Sequence, residues 1–103
     1  MRTLVSNPHH EYPAEVRDTV EEKLKHLSKF HRRAMSMRAL LERHHEEHRV
    51  EIVATVGGGA VLVADARQDA FGSALDEALQ RMERLLKRHN EKQHEARRRA
   101  PRP

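Results

Sequence analysis

VLVADARQDAFGSALDEALQRMERLLKR, residues 61–88, changes its periodicity halfway along, and that change decides the fold. The first part, read with Ala60 as AVLVADAR, alternates like a strand and sets Leu62, Ala64 and Ala66 on one face. From Ala70 onward Phe71, Leu75, Ala78, Leu79, Met82, Leu85 and Leu86 return every three or four residues, the spacing of one helical face. Asp69 stands at the junction, where a carboxylate can cap the helix. Beside the apolar arc Arg81, Arg84, Arg88 and Lys92 step by three, four and four residues, a basic rail at the rim of a packed helix. Lys87 adds a further cation to the same helix.

Working outward, the preceding segments supply partners for that strand. Val50, Ile52, Ala54 and Val56 alternate with Arg49, Glu51, Val53 and Thr55, and Gly57-Gly58-Gly59 forms a hairpin turn into residues 60–67. Upstream of the polar turn RHHEEH (43–48), Met35, Met37, Ala39 and Leu41 share one side of another strand, with Ser36, Arg38 and Glu42 on the other. Residues 13–30 read as an amphipathic helix through Val16, Val20, Leu24 and Leu27. Pro13 opens it, Glu15 and Asp18 lie near its positive end, and Lys29, Arg32 and Arg33 gather at its exit. Residues 2–7 form a short strand ended by Pro8. The order β-α-β-β-β-α predicts an α+β two-layer sandwich with four strands and both helices on one face, similar to double-stranded-RNA-binding folds. The domain is expected over residues 1–95, with residues 96–103 a basic, disordered tail.

Charge is unevenly spread. Residues 81–103 hold nine basic and three acidic side chains, a local +6 within a chain whose net charge is +4, which leaves −2 for residues 1–80. Such asymmetry points to a polyanion. If the two helices run parallel, Lys29, Arg32 and Arg33 should adjoin Arg88 and Lys92 in one basic surface. Tyr12, Phe30 and Phe71 are the only aromatics, which argues against recognition by stacking unpaired bases. With no cysteine there is no disulfide or thiolate chemistry. No apolar run approaches a membrane span, and MRTLVSNPHH lacks a signal-peptide centre, so a cytoplasmic location is expected.

The segments VRDTVEEKLKHLSKF (16–30), HRVEIVATV (48–56), VLVADARQDAFGSALD (61–76) and RMERLLKR (81–88) resemble the ribosome hibernation promoting factors, a family that includes the ribosome-associated inhibitor A and sigma-54 modulation proteins. The resemblance covers roughly residues 1–95. It implies a non-enzymatic bacterial translation inhibitor with no cofactor, monomeric when free, whose partner is the rRNA of the small ribosomal subunit. It further implies that the protein occupies the decoding channel, overlapping messenger RNA and the A- and P-site transfer RNAs. The family's basic residues correspond to Arg81, Arg84, Arg88 and Lys92 on the last helix, and to Lys23 and Lys29 on the first. Together with Arg32, Arg33 and Lys87 these form the expected RNA-binding set. Two positions depart from the pattern: Tyr12 replaces the usual polar cap before the first-helix proline, and Gly72 replaces a large residue, commonly tyrosine. With neither a C-terminal dimerisation domain nor an acidic tail, the chain resembles the short-form factors.

Two other readings come from different classes. Spacings within His44, His45 and His48 can serve a metal on a helix, which would suit a His-rich metal-binding accessory protein; in a hairpin turn they need not converge. A protein-partner modulator of a transcription factor is the third reading. Catalysis has little support: GGG lies between strands rather than before a helix, and no carboxylate pair is isolated in an apolar setting. No catalytic residue, metal ligand or small-molecule substrate is assigned.

Overall fold

The alternating and helical segments resolve, in the computed structural model, into β1 (Arg2–Ser6), α1 (Ala14–Lys29), β2 (Ala34–His44), β3 (Glu47–Val56), β4 (Val61–Gln68) and α2 (Phe71–Arg99). The structure describes residues 1–99, with side chains through residue 93. The four strands lie in the order β1-β2-β3-β4. β2, β3 and β4 form an antiparallel meander, while β1 pairs with β2 in parallel, joined to it by the α1 crossover. α1 covers β1 and β2, and α2 covers β3 and β4, so the helices share one face and leave the other open.

Burial explains why each segment takes its form. Val20, Leu24 and Leu27 of α1 join one buried core with Met37, Ala39 and Leu41 of β2, Val50, Ile52, Ala54 and Val56 of β3, and Ala64 and Ala66 of β4. Ala74, Leu75, Ala78, Met82 and Leu86 close the core from α2. Small alanines on β4 and α2 let this helix approach the sheet closely. Large side chains such as Leu24, Ile52 and Met82 are fully buried, each stabilising by about 1.5–3 kcal/mol.

Several expectations need correction. Met35 is exposed, because the β2–β3 register shifts between Ala34 and Ser36; the extra residue turns Met35 outward and puts Ala34 on the core side. The turn read over residues 43–48 shrinks to His45 and Glu46, since pairing continues to His44↔Glu47, and His45 takes a φ of 58°. Among the described residues the Asp69 carboxylate accepts no capping hydrogen bond from α2; the Ala70 carbonyl accepts the first helical bond, from the Ala74 amide. Helix continues to Arg99, four residues into the segment read as a tail, because nothing in residues 96–99 breaks a helix before Pro101. The rest of that segment, residues 100–103, lies outside the described residues. In the β3–β4 hairpin, Gly58 and Gly59 adopt φ of 94° and 88°, which only glycine takes without strain.

Candidate nucleic-acid interface

The exit of α1 packs beside α2, which continues past it to Arg99. His31, just past α1, is buried and accepts a hydrogen bond at Nδ1 from Asn90 Nδ2 of α2 at 3.3 Å. The Gly57 amide donates to the Arg33 carbonyl at 2.8 Å, tying the β3–β4 hairpin to the α1 exit. Arg32, Arg33 and the middle of α2 therefore meet at the α1 exit, as parallel helices require.

Laterally, the expected cations divide into two groups. Arg81, Arg84 and Arg88 lie on the flank of α2 that overhangs β4, lining a shallow cleft with Val63, Ala64 and Asp65. Lys23 and Lys29 line a groove between α1 and α2, with Leu27, Phe30, Leu79 and Glu83. The core-facing stripe of α2 separates the two flanks, so the cations lie on both sides of α2 instead of sharing a single plane. Lys92 lies a turn beyond Arg88 and is exposed.

Their commitments also differ. Arg81 donates to the Asp65 carbonyl on the outer edge of β4 and pairs with Glu77 at 2.5 Å, so it serves the fold first. Lys87 pairs with Glu83 at 3.5 Å within α2. Arg84 and Arg88 are exposed, and among the described residues neither they nor Lys23, Lys29, Arg32 and Arg33 have a carboxylate partner within 4.0 Å. Uncommitted guanidinium forks suit phosphate oxygens, and a rigid array of them can bind a backbone without reading bases.

The open face of the sheet has the opposite character. Arg49 donates to Glu42 at 2.6 Å, to Glu51 at 2.8 Å and to both oxygens of Asp65 at 2.9–3.2 Å. The Asp65 hydrogen bonds, opposed by burial and aided by those to Glu42, hold its pKa above even the usual arginine value. Three carboxylates thus surround Arg49, and Arg67, opposite it in the β3–β4 register, pairs with Glu47 at 3.9 Å, so the charges on this end of the face are met within the fold.

Of the histidines in residues 44–48, His48 is engaged by Tyr12. His48 Nδ1 lies 2.6 Å from the Tyr12 hydroxyl, which also reaches the Glu42 carbonyl oxygen at 3.3 Å. Both contacts are satisfied when Nδ1–H donates to the phenol and the phenol donates to the carbonyl. Burial, with Glu11 nearby, pushes the Tyr12 phenol above its ordinary range and keeps that proton in place. Among the described residues no group of three His, Asp or Glu side chains could hold a metal ion. The N-cap of α1 is Pro13, with no side-chain cap bond, and Tyr12 before it packs against Phe71 at 4.7 Å between ring centroids, stapling the loop before α1 to the start of α2. At Gly72 a Cβ would meet open space, so the missing large side chain leaves no cavity.

Sequence reasoning missed the Arg49 cluster, the Tyr12–His48 pair and the exposure of Phe30. Only the last had a usable signal: Phe30 falls out of phase with the Val20–Leu24–Leu27 stripe and stands between Lys29 and Arg32.

Comparison with known proteins agrees with this fold. The family model described as sigma 54 modulation protein / S30EA ribosomal protein matches residues 4–94. A ribosome hibernation promoting factor of Pseudomonas putida is 29% identical over 93 residues, covering 90% of each chain. Among solved structures, a ribosomal subunit interface protein from Coxiella burnetii superposes with a TM-score of 0.74 at 16% identity, over 87% of this chain and 98% of that one. The N-terminal domain of Thermus thermophilus Protein Y gives 0.69 at 25% identity, over 84% and 94%. No described helix is long and apolar enough to cross a membrane.

Proposed function

The chain belongs to the sigma 54 modulation protein / S30EA ribosomal protein family, and from that premise we propose that it is a translation inhibitor that binds the small ribosomal subunit through rRNA. Family membership makes it a ribosome-associated factor of the hibernation type. The finer reading is that it sits in the decoding channel and blocks messenger RNA and the A- and P-site transfer RNAs. It acts there by occupancy, in the bacterial cytoplasm, with no catalytic step and no cofactor.

The observation that carries this reading is the set of uncommitted cations on both flanks of α2 and at the exit of α1. Arg84 and Arg88 on one flank and Lys23, Lys29, Arg32 and Arg33 near the other can engage phosphates on more than one side of a confined space. A wedge with positive flanks fits a channel walled by RNA better than it fits a single duplex.

Competition on purified small subunits tests the mechanism. Messenger RNA and initiator transfer RNA should lose affinity as this protein is added, and inhibition should saturate at one protein per ribosome. Simultaneous binding of all three without mutual loss of affinity would sink the occupancy reading.

A further inference from the structure

Phe30 is one of three aromatic residues in the chain, and it is 68% exposed. It is the C-cap of α1; its amide donates to the Leu27 carbonyl at 3.3 Å and the following His31 amide donates to the Ser28 carbonyl at 3.0 Å, so the backbone on both sides is held. The His26 ring meets it edge-on at 5.4 Å and 76°, supporting one side of the ring while leaving the rest exposed. Phe30 and His26 line the groove between the helices, an opening of about 710 Å³, with Lys23, Lys25 and Lys29 and with the carboxylates Glu22 and Glu83, the latter already paired with Lys87. Lys25 pairs with Glu21 at 3.6 Å, whereas Lys23 and Lys29 have no such partner among the described residues.

We propose that this groove holds one unpaired RNA nucleotide, its base stacked on Phe30 and its phosphates held by Lys29 and Lys23. The proposal rests on the RNA-binding reading above and narrows the expectation that so few aromatics exclude stacking: three cannot build a platform for several bases, but one exposed ring can hold one. An isolated exposed phenylalanine is ordinary. Here the ring is buttressed by His26, its backbone is anchored, and Lys23 and Lys29 line the same groove. That is the arrangement of a stacking platform within an electrostatic groove. Stacking accepts any base, so the site selects unpaired over paired nucleotides without selecting sequence.

The chain has no tryptophan, so Phe30→Trp places a single fluorophore at the site. Three probes are compared at matched charge: a single-stranded oligoadenylate, an abasic oligomer of equal length, and a duplex. The expected result is quenching of the Phe30→Trp emission by the oligoadenylate alone. Phe30→Ala should then weaken oligoadenylate binding roughly 5- to 150-fold, the range base–aromatic stacking implies, and leave abasic binding unchanged. Because the side chain is exposed, neither variant should change the melting temperature. Equal binding of all three probes, or no loss in Phe30→Ala, overturns the proposal. A blue shift with anionic phospholipid vesicles and no quenching by RNA also overturns it, in favour of a lipid surface. The oligonucleotide arm needs no ribosome. Wild-type failure on small subunits would therefore count against the function proposed above, and failure here against Phe30 alone.

Discussion

Arg49 and the pair Arg84 and Arg88 are the same residue type in opposite circumstances. Arg49 lies on the open sheet face, three-quarters buried and bonded to Glu42, Glu51 and Asp65. Arg84 and Arg88 project from α2 and, among the described residues, meet no carboxylate. The first guanidinium is used up by the fold; the other two are left for something outside it. An arginine count therefore says little about binding until each fork has been traced to its partners.

The harshest way to break the contrast is to remove the core that supports both regions. Ile52→Asp would bury an unpaired carboxylate at a fully buried position between the helices, and loss of the cooperative thermal transition is expected. A variant that melts like the wild type would show that β3 does not share one core with α1 and α2.

Exchanging the two readouts is the sharper test. Arg49→Ala strands three carboxylates and should lower stability by about 1–3 kcal/mol in denaturant titration, the site being partly solvated, with ribosome affinity unchanged at temperatures where the fold persists. The double variant Arg84→Ala with Arg88→Ala should leave stability within about 0.5 kcal/mol and weaken subunit binding. It should also flatten the log–log salt dependence by roughly 0.7–0.9 per lost phosphate contact. If Arg49→Ala lost binding at full stability, the division of labour would be wrong.

The smallest expected effect sits between the two helices. Burial pushes the His31 imidazole below the usual histidine range, with Glu83 opposing and Lys87 reinforcing. The unfolded chain therefore takes up a proton before the folded one does. Stability contributed by neutral His31 is full above about pH 6.5 and is lost as pH falls below it. Unfolding titrations between pH 7.5 and 5 should show this slope in the wild type and a shallower one in His31→Leu.

Much of this was legible in the sequence because burial in a two-layer sandwich imposes a period. Ile52 and its alternating neighbours, and Met82 with its helical ones, could belong only to a sheet face and a helix face. What escaped was set by single insertions or by contacts between distant segments. Met35 left its face because of one extra residue in β2, which alternation alone does not reveal. Tyr12 looked like a poor cap because its partners, His48 and Phe71, are 36 and 59 positions away. The rail itself was visible, yet Arg81's engagement with the edge of β4 and the placement of Lys23 and Lys29 on the other flank depended on how α2 sits against its neighbours.

The parallel pairing of β1 with β2 also sets an order of events in time. The meander needs only short loops to close, two residues between β2 and β3 and four between β3 and β4, so these pairings can form early. β1 leaves the ribosome first but must wait for the whole of α1 and β2 before it has a neighbour, and it is then held on one side by five register pairs. Its amides are expected to exchange with deuterium before those of β3, which is paired on both sides. The earliest strand to be made is thus expected to be the last to settle and the first to fray.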